Sequence, residues 1–451
     1  MLAAFLQADG LPLADVLTPD DVVTAFADAG VDCHGSATAI FTPLLTLWAF
    51  LGQLLHDDHS CRAAVLRVMV LCVALSRPVP ASDTAAYCRA RARLPSAALR
   101  RLATHLGERL EGRAPAGWLW QDRHVQLLDG STSQVPDSPA NREAFPPRRA
   151  RRGISYPLIR WVCLVSLATA GVLDFNYGPY QGKQTGELAL SRPLLAGLRA
   201  GDVLLADRFF CTWFTFASCR ARGVDVVARL HASRTQDFRV GARYGRGERL
   251  MFWRRPPRPE WLDEATYLSL PRVLTVREIL VHVAEPGRRT RRLIVATTLL
   301  DRARYPREAV AGLYQARWQV ELDIRSLKSY LGLGELRCQS PGMLATELWG
   351  GLLAYNLARK VGCQVACLHG LRPRQVSFTA AQQALGAGLE QGALSRPGER
   401  HRLGEVLLGR LGQERVGDRP GRVEPRATKR PPKGYPRLRQ PRAQARARLQ
   451  R

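Results

Sequence analysis

The clearest alternation of apolar and polar positions runs from Leu313 to Leu331 and predicts one α-helix. The stretch has no Pro or Gly, and at about 100° per residue its apolar side chains form one continuous stripe. Beside it lies a second stripe, which burial does not require and whose members are one turn or one heptad apart: Tyr314, Arg317, Glu321 and Lys328. One carboxylate is thereby held among two cations and a phenol.

Two interpretations of this polar edge are open. It is either an ordinary solvated face with helical ion pairs, or a carboxylate metal ligand flanked by cations that bind phosphate. A lone carboxylate binds a hard divalent cation poorly, because such ions take several oxygen ligands. The choice therefore depends on whether the rest of the chain supplies further acids.

The period of the hydrophobic pattern divides the chain into segments of different structure. Residues 1–112 carry only helical patterns with many arginines, which fits either a DNA-binding domain or a plain helical bundle. After His124 the pattern becomes one of strands with helices between them, so we expect a mixed α/β core that holds a β-rich insertion. The predicted domains are 1–112, helical and DNA-binding; 120–230, the first part of the core; 231–300, the β-rich insertion; 301–365, the rest of the core with the Glu321 helix; 366–418, helical; and 419–451, a basic tail expected to be disordered.

The charge of the chain narrows the class of partner. The 66 Lys and Arg against 39 Asp and Glu give a net charge of +27, and such an excess attracts polyanions, of which nucleic acid is the usual one. The apolar runs are too short to cross a bilayer and the N-terminus does not resemble a signal peptide, so we expect a cytoplasmic protein without a membrane partner. Ten Cys, spread singly, favour a reducing compartment.

Two aspartates each end an apolar run typical of a buried strand, Asp129 in LLDGST and Asp207 in LLADRFF. A carboxylate at that position is costly to desolvate unless a cation or hydrogen bonds compensate it, although each Asp alone is also typical of a turn. With Glu321 they make a set of three hard oxygen ligands, which suits Mg²⁺. Two such ions roughly 3.5–4 Å apart can activate a water or hydroxyl for phosphodiester displacement.

The spacing Tyr314-x2-Arg317-x3-Glu321-x6-Lys328 resembles the Tyr-Arg-Glu-Lys signature of bacterial DDE transposases of the insertion-sequence four type. The regions around the two aspartates resemble the first and second aspartate regions of that family. The order Asp, Asp, Glu and the β insertion before the Glu also match, so the resemblance covers most of residues 120–360.

The resemblance implies a ribonuclease-H-like fold in which Asp129, Asp207 and Glu321 are the catalytic residues and hold two Mg²⁺, with Mn²⁺ as a substitute. It implies metal-dependent cleavage at the insertion-sequence ends, followed by attack of the freed 3′-hydroxyl on target DNA, which together make up cut-and-paste transposition.

The same resemblance implies how the DNA is held. Tyr314, Arg317 and Lys328 would contact its phosphates, and Arg208 is a further candidate because it directly follows Asp207. The partners would be double-stranded DNA, as terminal inverted repeats and as target, and a second copy of the chain in a homodimer on paired ends. The compartment would be the bacterial cytosol or nucleoid.

Some alternatives stay open at this point. In the family, an aromatic residue of the β insertion stacks on a flipped base; Trp253 and Trp261 are candidates, and both are also typical of core aromatics. The same acids would serve a ribonuclease-H-like nuclease without strand transfer. A DNA-binding protein that has lost catalysis is the alternative from another class, although binding alone would not require the three acids.

The tail leads to a first prediction. Deleting residues 419–451 removes twelve Lys or Arg and one acid. We expect weaker DNA binding without sequence preference, and a plot of log affinity against log salt that is shallower by about 0.9 for each phosphate that the tail neutralises in the intact chain. A tail with Gln at every basic position is the control for length and should behave like the deletion. An unchanged salt slope would show that the tail does not bind DNA.

Overall fold

A computed structural model of the chain describes residues 11–36, 38–147, 155–282, 292–416 and 442–450. It contains two compact units, each made from separate stretches of the chain. The helical unit takes in Met1–Leu127, Cys163–Phe175 and Gln319–Gly417, and the sheet unit takes in Leu128–Val162, Asn176–Trp318 and Asp418–Arg451.

The described residues form α-helices and β-strands whose bounds are as follows. The helices are α1 Pro19–Asp28, α2 Pro43–Leu55, α3 Cys61–Ala74, α4 Ala85–Ala92, α5 Ser96–Gly112, α6 Pro139–Ala144, α7 Glu187–Ser191, α8 Trp213–Ala221, α9 Glu264–Ser269, α10 Arg307–Ala316, α11 Gln319–Arg325, α12 Pro341–His369, α13 Phe378–Leu394, α14 Pro397–Leu411 and α15 Arg442–Leu449. The strands are β1 Val125–Gln134, β2 Leu158–Ser166, β3 Val172–Pro179, β4 Val203–Ala206, β5 Asp225–Arg229, β6 Ala242–Gly245, β7 Glu248–Arg254, β8 Val273–His282 and β9 Arg292–Thr297. Within the described part of the chain, no helix is both long and apolar enough to span a membrane.

The strands form one nine-stranded sheet in the order β3-β2-β1-β4-β5-β9-β8-β7-β6. β4 and β5 are parallel, whereas the pairs from β5 to β6 along that order are antiparallel. The order β3-β2-β1-β4-β5 is that of a ribonuclease-H-like core, and β6 to β9 come from the predicted insertion. The predicted α/β class, with a β-rich insertion and an all-α N-terminal region before it, is confirmed.

Capping side chains determine where the first helices begin. Thr18 and Asp21 form a capping box at α1, because Asp21 N donates to Thr18 Oγ1 at 3.2 Å and Thr18 N donates to Asp21 Oδ2 at 2.7 Å. Thr42 and Ser60 accept from backbone amides in the same way at the starts of α2 and α3. Each cap lies at a polar-to-apolar boundary that the sequence already displays.

The long helix α12 is the centre of the helical unit, because nearly all of its residues between Leu344 and Ala366 are buried. Asn356 Nδ2 donates to the carbonyls of Ala103 on α5 and Val172 on β3, and its Oδ1 accepts from Val172 N, all at 2.8 Å. α5 approaches so closely that a Cβ on Gly107 would lie 2.1 Å from the Val172 carbonyl oxygen. One buried amide thus joins two helices to a strand.

The prediction of one helix from Leu313 to Leu331 is wrong, because three pieces occupy the stretch. α10 ends before a turn at 317–318, α11 follows, and Ser326–Tyr330 is a π-helical turn. At the break Arg317 N donates to the carbonyl three residues back, and at the π turn the amide of residue 331 donates five residues back. Neither change needs a Gly or Pro, so the apolar period did not signal them.

The basic tail is described only at its end. Residues 417–441 lie outside the described residues, and Arg442–Leu449 forms α15. The predicted disorder of residues 419–451 stays a prediction, and within this tail the structure describes one helical segment. Its sequence, RAQARARL, contains only good helix formers, and all six prolines of the tail precede it.

Two ion pairs are buried between strands β7 and β8 of the sheet unit. Arg249 lies directly opposite Glu278 and donates to its Oε2 through Nε at 2.8 Å and Nη2 at 2.5 Å. Arg277 Nε donates to Glu248 Oε2 at 2.7 Å, and its Nη1 donates to the Tyr305 carbonyl at 2.7 Å, just before α10. The four charged side chains are at most 4% exposed, so each depends on its partner.

The Arg249–Glu278 pair leads to a stability prediction. Glu278→Ala leaves the Arg249 charge buried without its carboxylate, so the free energy of unfolding should fall by about 3–5 kcal/mol. The double variant Arg249→Met/Glu278→Leu should recover most of that loss, because no buried charge is then uncompensated. Thermal and urea unfolding would measure both.

The matched control is Asp237→Ala, since Asp237 pairs with Arg239 in the same insertion but on the surface. Its melting temperature should stay near that of the wild type. A loss in Glu278→Ala no larger than in this control would contradict the assigned role of the buried pair.

Candidate active site

Asp129 lies in the middle of β1, where the strand leaves the core. The strand is fully buried up to Leu128 and half-buried from Asp129 to Thr132. β1 continues past Gly130 to Gln134. Asp129 Oδ2 lies 3.6 Å from Arg317 Nη1, so a cation from the end of α10 accompanies this carboxylate.

Asp207 directly follows β4, the neighbour of β1 in the sheet. It is the N-cap of a short 3₁₀ turn, Arg208–Phe210, and its Oδ1 accepts from Phe209 N at 2.7 Å. The Asp207 carboxylate is half-buried, whereas Arg208 is exposed. The two predicted aspartates therefore come from adjacent strands, and the turn after β4 presents an arginine to solvent.

Tyr314 joins the same region from α10. Burial raises the pKa of Tyr314, the neighbouring Arg317 and Arg229 guanidinium groups oppose that rise, and Asp207 adds to it. Tyr314 also shares a side-chain hydrogen bond with Arg317, which in turn pairs with Asp129. Within the sheet unit, four of the predicted site residues are thus electrostatically linked.

Glu187, at the start of α7, is a site neighbour that the sequence analysis missed. A Cβ on Gly130 would lie only 2.9 Å from both Cγ and Cδ of Glu187, so this side chain packs against β1 beside Asp129. Burial raises the pKa of Glu187, Arg160 lowers it, and the Asp207 charge raises it further. A single Glu at the first position of a five-residue helix carries no sequence signal for this placement.

The remaining predicted residues, Glu321 and Lys328, belong to the helical unit. Glu321 lies in the first turn of α11 and is half-buried, and Lys328 is half-buried in the π turn that follows. Among the described residues, no group of three or more His, Cys, Asp or Glu side chains could hold a metal ion as arranged. The donor chemistry nevertheless fits a hard cation, since Asp129 and Asp207 offer carboxylate oxygens on adjacent strands.

The two tryptophans proposed to stack on a flipped base differ in exposure. Trp253 is 4% exposed and packs at 5.0 Å, ring centre to ring centre, against Phe216, so it is a core aromatic. Trp261 is half-buried, and the Arg192 guanidinium lies 3.6 Å from its ring centre. Of the two open interpretations, the core one therefore holds for Trp253.

Comparisons with known proteins bear on the family of the chain. The family model described as the transposase DDE domain matches residues 120–357, which is more than half of the chain. The transposase InsG for insertion sequence element IS4 of Escherichia coli K12 is 26% identical over 441 residues, covering 94% of this chain and 93% of the relative. A solved structure of the piggyBac transposase synaptic complex with hairpin DNA is 13% identical, covering 89% of this chain and 83% of that one, but its TM-score of 0.44 is too low to bear on the fold.

The family match spans both aspartates and the whole Tyr314-to-Lys328 segment. The chain therefore belongs to the DDE transposase family, and its function is DNA transposition.

Proposed function

We propose that this transposase cuts DNA at the ends of its own insertion sequence and joins the freed ends to target DNA, with Asp129, Asp207 and Glu321 as the catalytic metal ligands. The observation that supports the proposal is that Asp129 lies on β1 and Asp207 directly follows the neighbouring strand β4, with Arg317 from α10 3.6 Å from Asp129. An acid on a strand and another directly after the neighbouring strand are a suitable base for a metal site, because sites built on regular elements are more precise than sites on loops.

The bound metal would be Mg²⁺, as a pair of ions, with Mn²⁺ as a substitute. Such ions lower the pKa of a bound water or hydroxyl and stabilise the charge on the leaving oxygen. In the first reaction water displaces the 3′-oxygen of the element end from phosphorus, one P–O bond forming as the other breaks. In the second reaction that 3′-hydroxyl displaces an oxygen of the target phosphodiester in the same way.

The cations and the phenol beside the acids suit the DNA backbone. Arg317 offers a planar fork of donors that matches a phosphate, and Tyr314 can donate its hydroxyl to a phosphate oxygen. Arg208 is exposed and directly follows Asp207, and Lys328 lies seven residues after Glu321. Because each cation is close in sequence to a proposed metal ligand, we assign both to contacts with the DNA strand that is cut. These four side chains would hold the scissile phosphate while the carboxylates hold the metal.

The helical unit supplies a surface for sequence-independent contacts with the duplex. Arg89 on α4, Arg93 directly after that helix and Arg100 on α5 are exposed. With a net charge of +27, the chain is attracted to double-stranded DNA before any base is read. We assign the N-terminal helices to binding the terminal inverted repeats, in a homodimer that pairs two ends in the bacterial cytosol or nucleoid.

The proposal predicts a cleavage result. A labelled duplex carrying the sequences that flank the gene for this chain should be cut at the element boundary with Mg²⁺ and not with EDTA. Asp129→Asn, Asp207→Asn and Glu321→Ala should each abolish cutting but leave binding to the duplex near the wild-type level, because the metal ligands are removed and the DNA-binding side chains are kept.

Glu308→Ala is the matched control, since Glu308 is an exposed acid on α10. It should cut like the wild type. Near-normal Mg²⁺-dependent cutting by any of the three site variants would refute the ligand assignment. Cutting without strand transfer would favour a nuclease, and a cutting-competent complex with the mass of a monomer would refute the dimer.

The close packing of Glu187 against β1 gives a second prediction. Gly130→Ala should lower both the melting temperature and the cutting rate, because the new Cβ would lie 2.9 Å from Glu187 and 3.1 Å from the Trp161 carbonyl oxygen. Overpacking of this kind costs about 1–3 kcal/mol. The control is Gly186→Ala beside Glu187, where a Cβ would have no atom within 4 Å. Equal behaviour of the two variants would show that the close approach does not matter.

A further inference from the structure

Two acids of opposite environment lie two residues apart on the short helix α11. Glu321 is half-buried, whereas Asp323 is fully buried, with 0% of its surface exposed. Because residues two apart in an α-helix differ by about 200° in direction, the two side chains leave opposite sides of the helix. A buried carboxylate is costly unless cations and hydrogen bonds compensate it. The burial of Asp323 therefore requires partners that compensate its charge.

Two arginines and a tyrosine surround the Asp323 carboxylate. Arg374 Nη1 donates to Oδ1 at 3.0 Å and to Oδ2 at 2.8 Å, and Arg359 Nη2 donates to Oδ1 at 2.8 Å. The Tyr355 hydroxyl lies 3.2 Å from Oδ1 and accepts from Arg359 Nε at 2.9 Å. We call these four residues the Asp323 clamp.

The clamp connects α11 to two other elements of the helical unit. Arg359 and Tyr355 stand on α12, the buried central helix. Arg374 also donates to the carbonyls of Ser166 and Leu167, both at 2.9 Å, where β2 ends and the turn to β3 begins. One carboxylate thus fixes α11 to a long helix and to a strand end at once.

The helix α11 is unable to set its own orientation. It has seven residues, follows the break at 317–318, and leads into the π turn Ser326–Tyr330. A helix of two turns has little stability of its own, so tertiary contacts determine where it lies. Among its buried side chains, Val320 and Asp323, only the Asp323 carboxylate makes directional contacts.

We propose that Asp323 is the positioning residue for Glu321, with Arg374 and Arg359 as its anchors, so that the clamp sets the direction in which Glu321 presents its carboxylate. This rests on the proposed function of Glu321 as a metal ligand. The buried ionic cluster then serves the reaction rather than stability alone, in the way that residues behind a metal ligand determine its orientation.

The test is single-turnover cutting of a labelled duplex that carries the element boundary, with the Mg²⁺ concentration varied and duplex binding measured separately in EDTA. The main variant is Arg374→Gln, because Arg374 is at the edge of the cluster, with 15% of its side chain exposed, and its removal leaves Arg359 to compensate Asp323. Its rate at saturating DNA and Mg²⁺ should fall about 10- to 100-fold with an unchanged Kd for DNA. Half-maximal cutting should also require more Mg²⁺.

Conservative and control variants separate positioning from stability. Arg374→Lys keeps the charge but not the two-pronged hydrogen bonding, so its rate should lie between those of Arg374→Gln and the wild type. Leu322→Ala changes an exposed side chain on the same helix and should cut like the wild type. Asp323→Asn should cut no faster than Arg374→Gln; if it does not fold, the Arg374 variants carry the comparison.

The outcomes are distinct. A folded Arg374→Gln protein that cuts at the wild-type rate with the wild-type Mg²⁺ requirement overturns the clamp as a positioning device, even if its melting temperature falls. If the wild type cuts and Glu321→Ala does not, that result leaves the proposed function intact. A wild type that does not cut, or a Glu321→Ala variant that cuts normally, overturns the proposed function and the role of the clamp with it.

Discussion

A carboxylate that leaves water must be met by a cation, and this requirement organises both units of the chain. In the sheet unit Glu278 and Glu248 are buried against Arg249 and Arg277, and in the helical unit Asp323 is buried against Arg359 and Arg374. Replacing such pairs by apolar side chains often leaves stability unchanged or higher, so their presence calls for a reason beyond stability. For Arg277 and Arg374 the reason is visible, because each also binds carbonyl oxygens where one element gives way to the next.

The acids of the candidate site have different surroundings from these buried carboxylates. Asp129 has an arginine at 3.6 Å, a longer distance than the 2.5–2.8 Å of the buried pairs. Burial and the Asp207 charge raise the pKa of Glu187. A raised pKa in the folded state means that the ionised form is destabilising, so this cost is absent at low pH and grows as the pH rises through the carboxyl range. A bound divalent cation would stabilise the ionised form of such carboxylates.

Much of this arrangement can be predicted from the sequence, and the features that could not be predicted have identifiable physical reasons. The apolar runs before Asp129 and Asp207 are strand residues, and the helical N-terminal region and β insertion follow from local period and composition. The break at 317–318 and the π turn were not predictable, because they replace hydrogen bonds without altering the apolar spacing. Glu187 and Asp323 were missed because their neighbours are distant in the chain; Asp323 meets Arg374 across 51 residues. Side chains whose role depends on such partners leave no local pattern.

Contacts inside the protein determine which of the chain's positive charges are available to DNA. A net charge of +27 suggests a surface covered with DNA-binding cations, yet Arg249, Arg277 and Arg359 are buried and bonded to carboxylates and carbonyls inside the protein. Such arginines add to the sum of charges without being available to phosphates. By contrast, exposed arginines such as Arg208 beside Asp207 and Arg89 on α4 present their charge to solvent. Since long-range attraction depends on net charge and close binding on exposed groups, the basic composition predicts the class of partner, whereas the location of each arginine decides which of them bind it.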